Sequence, residues 1–207
     1  MSQYFVVHPD NPQGRFIAQA VAILRNGGLI VYPTDSCYAL GCCIGDKAAM
    51  ERALRIRKIE KNHNFTLVCR DLAEISLYAK VSNQAFRLMK RLTPGPYTFI
   101  LEATHEVPRR LQNPKRKTIG IRVPDHKIAH ALLDTLHEPL MSSTLFLPDK
   151  PTPETDPEVI RAQLEKQVDL IIDGGHCGHE PTTVLDLLEN VPVIIRAGKG
   201  PVDDLID

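Results

Sequence analysis

The chain has 207 residues, 43% of them apolar and 24% charged, with 25 basic side chains balanced by 25 acidic ones. That length suits one large domain with a substantial core, and the composition excludes bulk disorder. A formal charge of zero excludes a polyanion binder that works by overall charge alone, although the cations are unevenly placed.

In chain order, Asn11 is expected to cap a helix opened by Pro12, with Phe16, Ile17, Ala20, Val21, Ile23 and Leu24 at helical spacing and Gly27-Gly28 as its end. Leu29 to Tyr32 reads as a buried strand, broken by Pro33. Asp46 caps a second helix that carries Met50, Leu54 and the basic residues Arg52, Arg55, Arg57, Lys58 and Lys61. A strand follows at 65–69. Ser82 caps a third helix, with Ala85, Phe86 and Met89 on one face, and Thr93-Pro-Gly-Pro96 must turn. Strands at 97–101 and 118–123, a helix at 128–136 and a strand at 139–143 come next. Asp156-Pro157 opens a last helix, and strands near 168–172, 183–187 and 193–196 complete the chain. Helix and strand alternate early and strands crowd later, which predicts a single α/β domain around a twisted mixed sheet.

No run reaches the roughly 18 apolar residues that span a bilayer, and the N-terminus lacks a basic start followed by an apolar stretch. A soluble protein with no membrane contact is expected. The five cysteines (Cys37, Cys42, Cys43, Cys69 and Cys177) are odd in number and lack zinc-ribbon spacing, which fits reduced thiols and a cytoplasmic location.

Several segments could carry chemistry. Thr34, Asp35, Ser36 and Tyr38 follow a buried strand, where ligands of open α/β sheets sit, and their hydroxyls suit a small polar substrate; a plain turn is the alternative. The basic run from Arg55 to Lys61 suits phosphates, or a solvated helix face. Arg122 lies inside an apolar strand and demands an anionic partner, either a structural carboxylate or a ligand. Hydroxyl runs at 141–144 and 181–186 and the strand-ending Arg196 complete the candidates. His176, Cys177 and His179 lie within four residues, but Gly178 argues for a mobile loop, and no metal site on the protein is expected. A phosphate-binding P-loop, a dinucleotide fingerprint and a nucleophile elbow are all missing.

Six of these segments, in order along nearly the whole chain, resemble the YrdC/YciO family of threonylcarbamoyl-adenylate synthases. They are Pro33-Thr-Asp-Ser-Cys-Tyr-Ala-Leu-Gly41, Pro94-Gly-Pro-Tyr-Thr98, Ile121-Arg-Val-Pro124, Asp173-Gly-Gly175, Thr182-Thr-Val-Leu-Asp186 and Arg196-Ala-Gly198. The length and His63-Asn-Phe-Thr66 look closest to the YciO branch. The resemblance implies one YrdC-like domain over residues 1–207, with its core at about 14–200 and a concave, positively charged cleft between flanking helices. It also implies synthesis of threonylcarbamoyl-adenylate from L-threonine, bicarbonate and ATP, with Mg2+ carried on the ATP and pyrophosphate released, in the service of tRNA modification. By matched position, Thr34, Tyr38, Arg122, Ser142 and Thr182 would hold threonine. Arg57, Lys58, Thr118, Thr144 and Arg196 would hold the nucleotide.

Two positions depart from the family pattern. Ile59 stands where the synthases carry a second cation, and Phe146 where they carry an asparagine. Two functions therefore stay open at the level of sequence. One is a synthase with altered cation placement. The other is a catalytically weak paralogue that binds double-stranded RNA, rRNA or tRNA through Arg109, Arg110, Lys115, Arg116 and Lys117.

Overall fold

The computed structural model describes residues 1–59, 65–148, 150–203 and 205; Lys61, His63, Asn64, Asp204 and Asp207 lie outside the described residues. The chain runs β1 (Gln3–Val6), α1 (Gly14–Arg25), β2 (Ile30–Tyr32), β3 (Ala39–Cys43), α2 (Lys47–Arg57), β4 (Thr66–Val68), α3 (Leu72–Tyr78), β5 (Ala79–Lys80) and α4 (Asn83–Leu92). It continues through β6 (Tyr97–Ala103), a 3-10 turn at Arg109–Leu111, β7 (Thr118–Arg122), α5 (Lys127–Leu136), β8 (Leu140–Thr144), α6 (Pro157–Leu164), β9 (Leu170–Asp173), β10 (Thr183–Asp186) and β11 (Val193–Arg196). The strands form one mixed sheet in the order β1-β9-β2-β3-β8-β4-β7-β6-β10-β11, with β5 paired to β6. Parallel pairs (β4 with β7, β6 with β10) alternate with antiparallel ones (β3 with β8, β6 with β7).

The pleat divides each strand between two layers. Leu29 and Val31 join Leu67, Phe99, Ile121 and Met141 on one face, under α2, α3, α4 and α6. Ile30 and Tyr32 join Phe5, Val68, Leu140 and Ile172 on the other face, under α1 and α5. The pair α1 and α5 covers the β1-β9-β2 end of its face and reaches only as far as Ala39 of β3, Leu140 of β8 and Val68 of β4. Over β4, β7, β6 and β10 that same face carries Thr66, Thr98, Thr118, Gly120, Arg122 and Val184, and these residues line a cavity instead of packing under a helix.

Local chemistry sets the helix starts. The side chains of Asp46, Ser82 and Asp156 accept hydrogen bonds from Ala49 N (2.9 Å), Ala85 N (3.1 Å) and Glu158 N (2.9 Å), as the sequence predicts. Asn11 does not cap α1. The helix begins at Gly14 with Gln13 at the cap position, while His8 Nδ1 accepts from the backbone of Asp10 and Asn11 and holds that stretch in a turn. Phe86 is 46% exposed, so the buried stripe of α4 runs through Ala85 and Met89 without it. β1 lies ahead of the expected start of the core and adds Phe5 to it, followed by Val7 just past the strand. No helix among the described residues is long and apolar enough to cross a membrane.

Candidate functional site

The cavity has a volume of about 350 Å³, within the range of small-molecule sites. Strand alternation builds its floor. Thr118, Gly120 and Arg122 occupy successive same-face positions of β7, beside Thr66 and Val68 of β4, Thr98 and Ile100 of β6, and Ser142 and Thr144 of β8. A Cβ at Gly120 would lie 3.4 Å from both Thr66 and Thr98, so any larger side chain there would enter the cavity.

Of the residues assigned by resemblance, Thr34, Arg57, Thr118, Arg122, Ser142, Thr144, Thr182 and Arg196 line this one cavity. Tyr38 does not. Its hydroxyl is turned to the 174–175 loop, donating to Gly175 O at 2.6 Å and accepting from Gly174 N at 3.2 Å. Lys58 is also outside the lining, because it closes α2 in the left-handed conformation with φ 49°. Ile59 packs against the core at the end of α2 and does not line the cavity. Phe146 does line it, with the Arg57 guanidinium 5.7 Å from its ring centre.

Proton accounting shows how the hydroxyls are used. Thr34 Oγ1 donates to Cys37 O (2.7 Å) and accepts from the backbone of Ser36 and Cys37 (both 3.2 Å). Its only proton is therefore spent, and Ser36 Oγ, 3.1 Å away, must be the donor between them. Ser36 in turn accepts from Arg122 Nη1 at 3.2 Å. Ser142 Oγ donates to Leu40 O (3.0 Å), so Tyr32 supplies the proton of their 2.8 Å bond. Thr182 Oγ1 pairs with Thr98 Oγ1 at 2.9 Å, and the Thr182 carbonyl accepts from Arg196 Nε and Nη2.

Cations dominate the electrostatics. Arg122 is 7% exposed and paired with Asp35, which answers one sequence question with a structural carboxylate. Its Nε is buried without a hydrogen-bond partner among the described residues. Arg57 donates to Ser143 Oγ; burial, then the nearby Arg196, lower its pKa to about 10, which leaves it charged at neutral pH. Burial also lowers Arg196. Arg116, expected on an RNA-binding surface, instead lines the cavity and pairs with the buried Asp186 at 2.7 Å. Arg109, Arg110, Lys115 and Lys117 are exposed on the same connection between β6 and β7, and Arg110 donates to Gly45 O. Burial pushes the Cys37 thiol up to about 11, so this lining residue is a poor nucleophile at neutral pH.

The loop of His176, Cys177 and His179 is packed in place. A Cβ at Gly178 would meet Ser36 O at 2.6 Å, so glycine lets this loop press against the Thr34 turn. Among the described residues no three metal-ligating side chains cluster. Ser143, Thr98, Asn113 and the Asp186 partner of Arg116 were missed as site residues. Pleat periodicity could have flagged Thr98 and Asp186, whereas Ser143 alternates with Ser142 and Thr144 and Asn113 lies outside the strands, so only the folded chain brings those two to the cavity.

Residues 22–198 match the family model described as Telomere recombination, which takes in the Sua5, YciO and YrdC proteins. The chain belongs to the Sua5/YciO/YrdC family. Within the family it is 62% identical over 202 residues to the "Uncharacterized protein YciO" of Escherichia coli (strain K12), across 98% of each chain. The crystal structure of E. coli YciO matches it with a TM-score of 0.96 over 100% of both chains. It is 33% identical to the threonylcarbamoyl-AMP synthase of Nitrosococcus oceani, across 75% of this chain and 83% of that one. The crystal structure of P. abyssi Sua5 complexed with L-threonine matches with a TM-score of 0.87 at 26% identity, over 95% of this chain and 58% of the longer one.

Proposed function

We propose that the cavity binds L-threonine and ATP and joins them, through a carbamate, as threonylcarbamoyl-adenylate. One observation carries this reading. A single cavity is lined by Arg57, Arg122 and Arg196, and Arg196 lies close enough to Arg57 to disfavour its charge. An anionic ligand offsets that convergence of cations. The likeness to a threonylcarbamoyl-AMP synthase and to a Sua5 structure holding L-threonine supports threonine as one substrate.

In this reading Arg122 receives the threonine carboxylate, next to Ser142 and Thr182. Arg57 and Arg196 face the phosphates, with Thr118 and Thr144 beside them. Threonine's amine and bicarbonate form the carbamate with loss of water. A carbamate oxygen then attacks the α-phosphorus in line, forming a new O–P bond while the bond from the α-phosphorus to the bridging oxygen breaks, and pyrophosphate leaves with that oxygen and its electron pair. The protein's task is alignment and placement of cations against growing negative charge, so no covalent nucleophile is needed. Asp35 and Asp186 are committed to arginines, so Mg2+ enters on the phosphates of ATP and the protein need not supply its ligands. The test is pyrophosphate release from the purified protein with ATP, labelled threonine and bicarbonate. Release should require all three; ATP turnover that ignores threonine would remove this reading.

A second reading is supported by the exposed cations Arg109, Arg110, Lys115 and Lys117, which sit on the connection that also supplies Asn113 and Arg116 to the cavity. Here the strip holds the phosphates of double-stranded RNA, rRNA or tRNA beside the adenylate site. Such binding weakens steeply with salt. RNA affinity that is insensitive to ionic strength, or unchanged in Lys115→Glu/Lys117→Glu, would count against it.

A further inference from the structure

We infer that Asp35 is a positioning residue for the amino-acid end of the cavity: it fixes the guanidinium of Arg122, a lining residue, in the place where the ligand's carboxylate is received. The inference rests on the proposed threonine site and adds a residue that does not itself line the cavity.

Asp35 is held from three directions. One carboxylate oxygen takes Arg122 Nη2, and the other accepts from Asp125 N at 3.0 Å, at the junction between β7 and α5. Its backbone carbonyl accepts from Lys199 Nζ, three residues beyond Arg196. Both members of the ion pair are about nine-tenths buried, with side-chain exposures of 8% for Arg122 and 10% for Asp35. A buried pair with secondary hydrogen bonds on the carboxylate has little freedom to rearrange. Arg122 Nη1 is meanwhile committed to Ser36, whose own hydrogen bond runs on to Thr34. Two of the three guanidinium nitrogens are thus anchored, and the buried Nε has no hydrogen-bond partner among the described residues. The guanidinium therefore does not have to order itself when ligand arrives.

Asp35 also sets the charge of this end of the cavity. With the pair intact, Arg122 is neutralised where it is most deeply buried. The ligand carboxylate then meets a guanidinium whose orientation is already set, and not a bare cation. A carboxylate cannot take the Nη2 edge of Arg122 unless Asp35 is displaced.

The experiment is a double-variant cycle on the full chain. Asp35→Asn keeps the shape and removes the charge, and Arg122→Gln removes the group it acts on. L-threonine affinity is measured by calorimetry for wild type, both single variants and the double variant, and ATP affinity is measured alongside. Loss of one charge-assisted anchor should raise the threonine Kd about tenfold or more in Asp35→Asn, while ATP affinity stays within about twofold. In the Arg122→Gln background the same change should add almost nothing, and Asp35→Glu should restore part of the affinity. The double variant also guards against misfolding, because it leaves no unpaired buried charge. Equal losses in both backgrounds, or tighter threonine binding in Asp35→Asn, would overturn the inference.

A second readout needs no substrate. The 15N resonance of Arg122 Nε in the free protein should be sharp and slow to exchange in wild type, and broad and fast in Asp35→Asn. An unchanged Nε signal overturns positioning by Asp35. A wild type that binds no threonine removes the proposed function, and the Nε signal still decides the role of Asp35.

Discussion

Phe146 shows how one side chain can set the character of a cavity. It lines the site and lies beside Arg57, where the related synthases are expected to place an amide. Phe146→Asn should return a polar donor and release the Arg57 guanidinium from the ring. A preorganised donor is worth on the order of a hundredfold in rate. We expect threonine-dependent pyrophosphate release to rise at least about tenfold; no change would show that the two positions are not equivalent. Ile59→Arg should not share in this gain, because residue 59 packs against the core and lies outside the lining. His126 gives a prediction in pH. Burial holds its pKa below the usual 6.5, ahead of the opposing pull of Asp35 and Asp125 and with smaller lowering contributions from His130 and Arg122. The unfolded chain therefore binds the proton more readily than the folded one. Stability is fully present above 6.5 and declines as pH falls through that value toward the lower folded pKa. Denaturant unfolding between neutral and mildly acidic pH should show this decline, and His126→Gln should flatten it. A slope identical in the two proteins would acquit His126.

Elements were legible where a local rule fixes them and obscure where tertiary pairing does. Asp46, Ser82 and Asp156 announced their helices because a short polar side chain before an apolar periodic run satisfies an otherwise orphaned N–H. β3 was hidden because Ala-Leu-Gly-Cys-Cys contains no β-branched residue; it is a strand by virtue of its ladders with β2 and β8. β1 has strand-forming residues but is only four long, and it exists through parallel pairing with β9, which arrives more than 160 residues later in the chain. The site divides in the same way. Arg122, Arg196 and Thr182 stood out as charged or polar residues in or beside apolar strands, whereas the Arg57 contact with Ser143 and the Arg116 pair with Asp186 depend on long-range register. The cap on α2 is testable at this scale, because α2 ends at Arg57 and so places that residue at the cavity. Asp46→Ala removes the bond to Ala49 N and should cost about 1 kcal/mol, seen as a fall in Tm of about 2–4 °C for a chain of this size. A Tm unchanged within error would mean that the cap contributes nothing.

At the scale of the whole molecule, the cavity follows from incomplete coverage of one sheet face. Helices α2, α3, α4 and α6 seal the opposite face, while α1 and α5 seal only one end of theirs. The bare remainder is polar, and Arg57, Arg122 and Arg196 converge on it from three separate elements or their ends. Bringing cations together in a partly desolvated space costs free energy, which the empty protein bears. Anything anionic that enters the cavity should therefore stabilise the fold by linkage, by about 2.7 kcal/mol at a ligand concentration a hundred times its Kd. Titration with pyrophosphate should raise Tm by several degrees in wild type. Arg196→Ala should lose most of that rise, because the variant lacks one of the convergent cations while its neighbours remain. Uncharged solutes at the same concentration should not reproduce the effect, and added chloride should reduce it by competition. If pyrophosphate leaves Tm unmoved, the arginines are held by contacts within the fold alone, and the cavity is not an anion site.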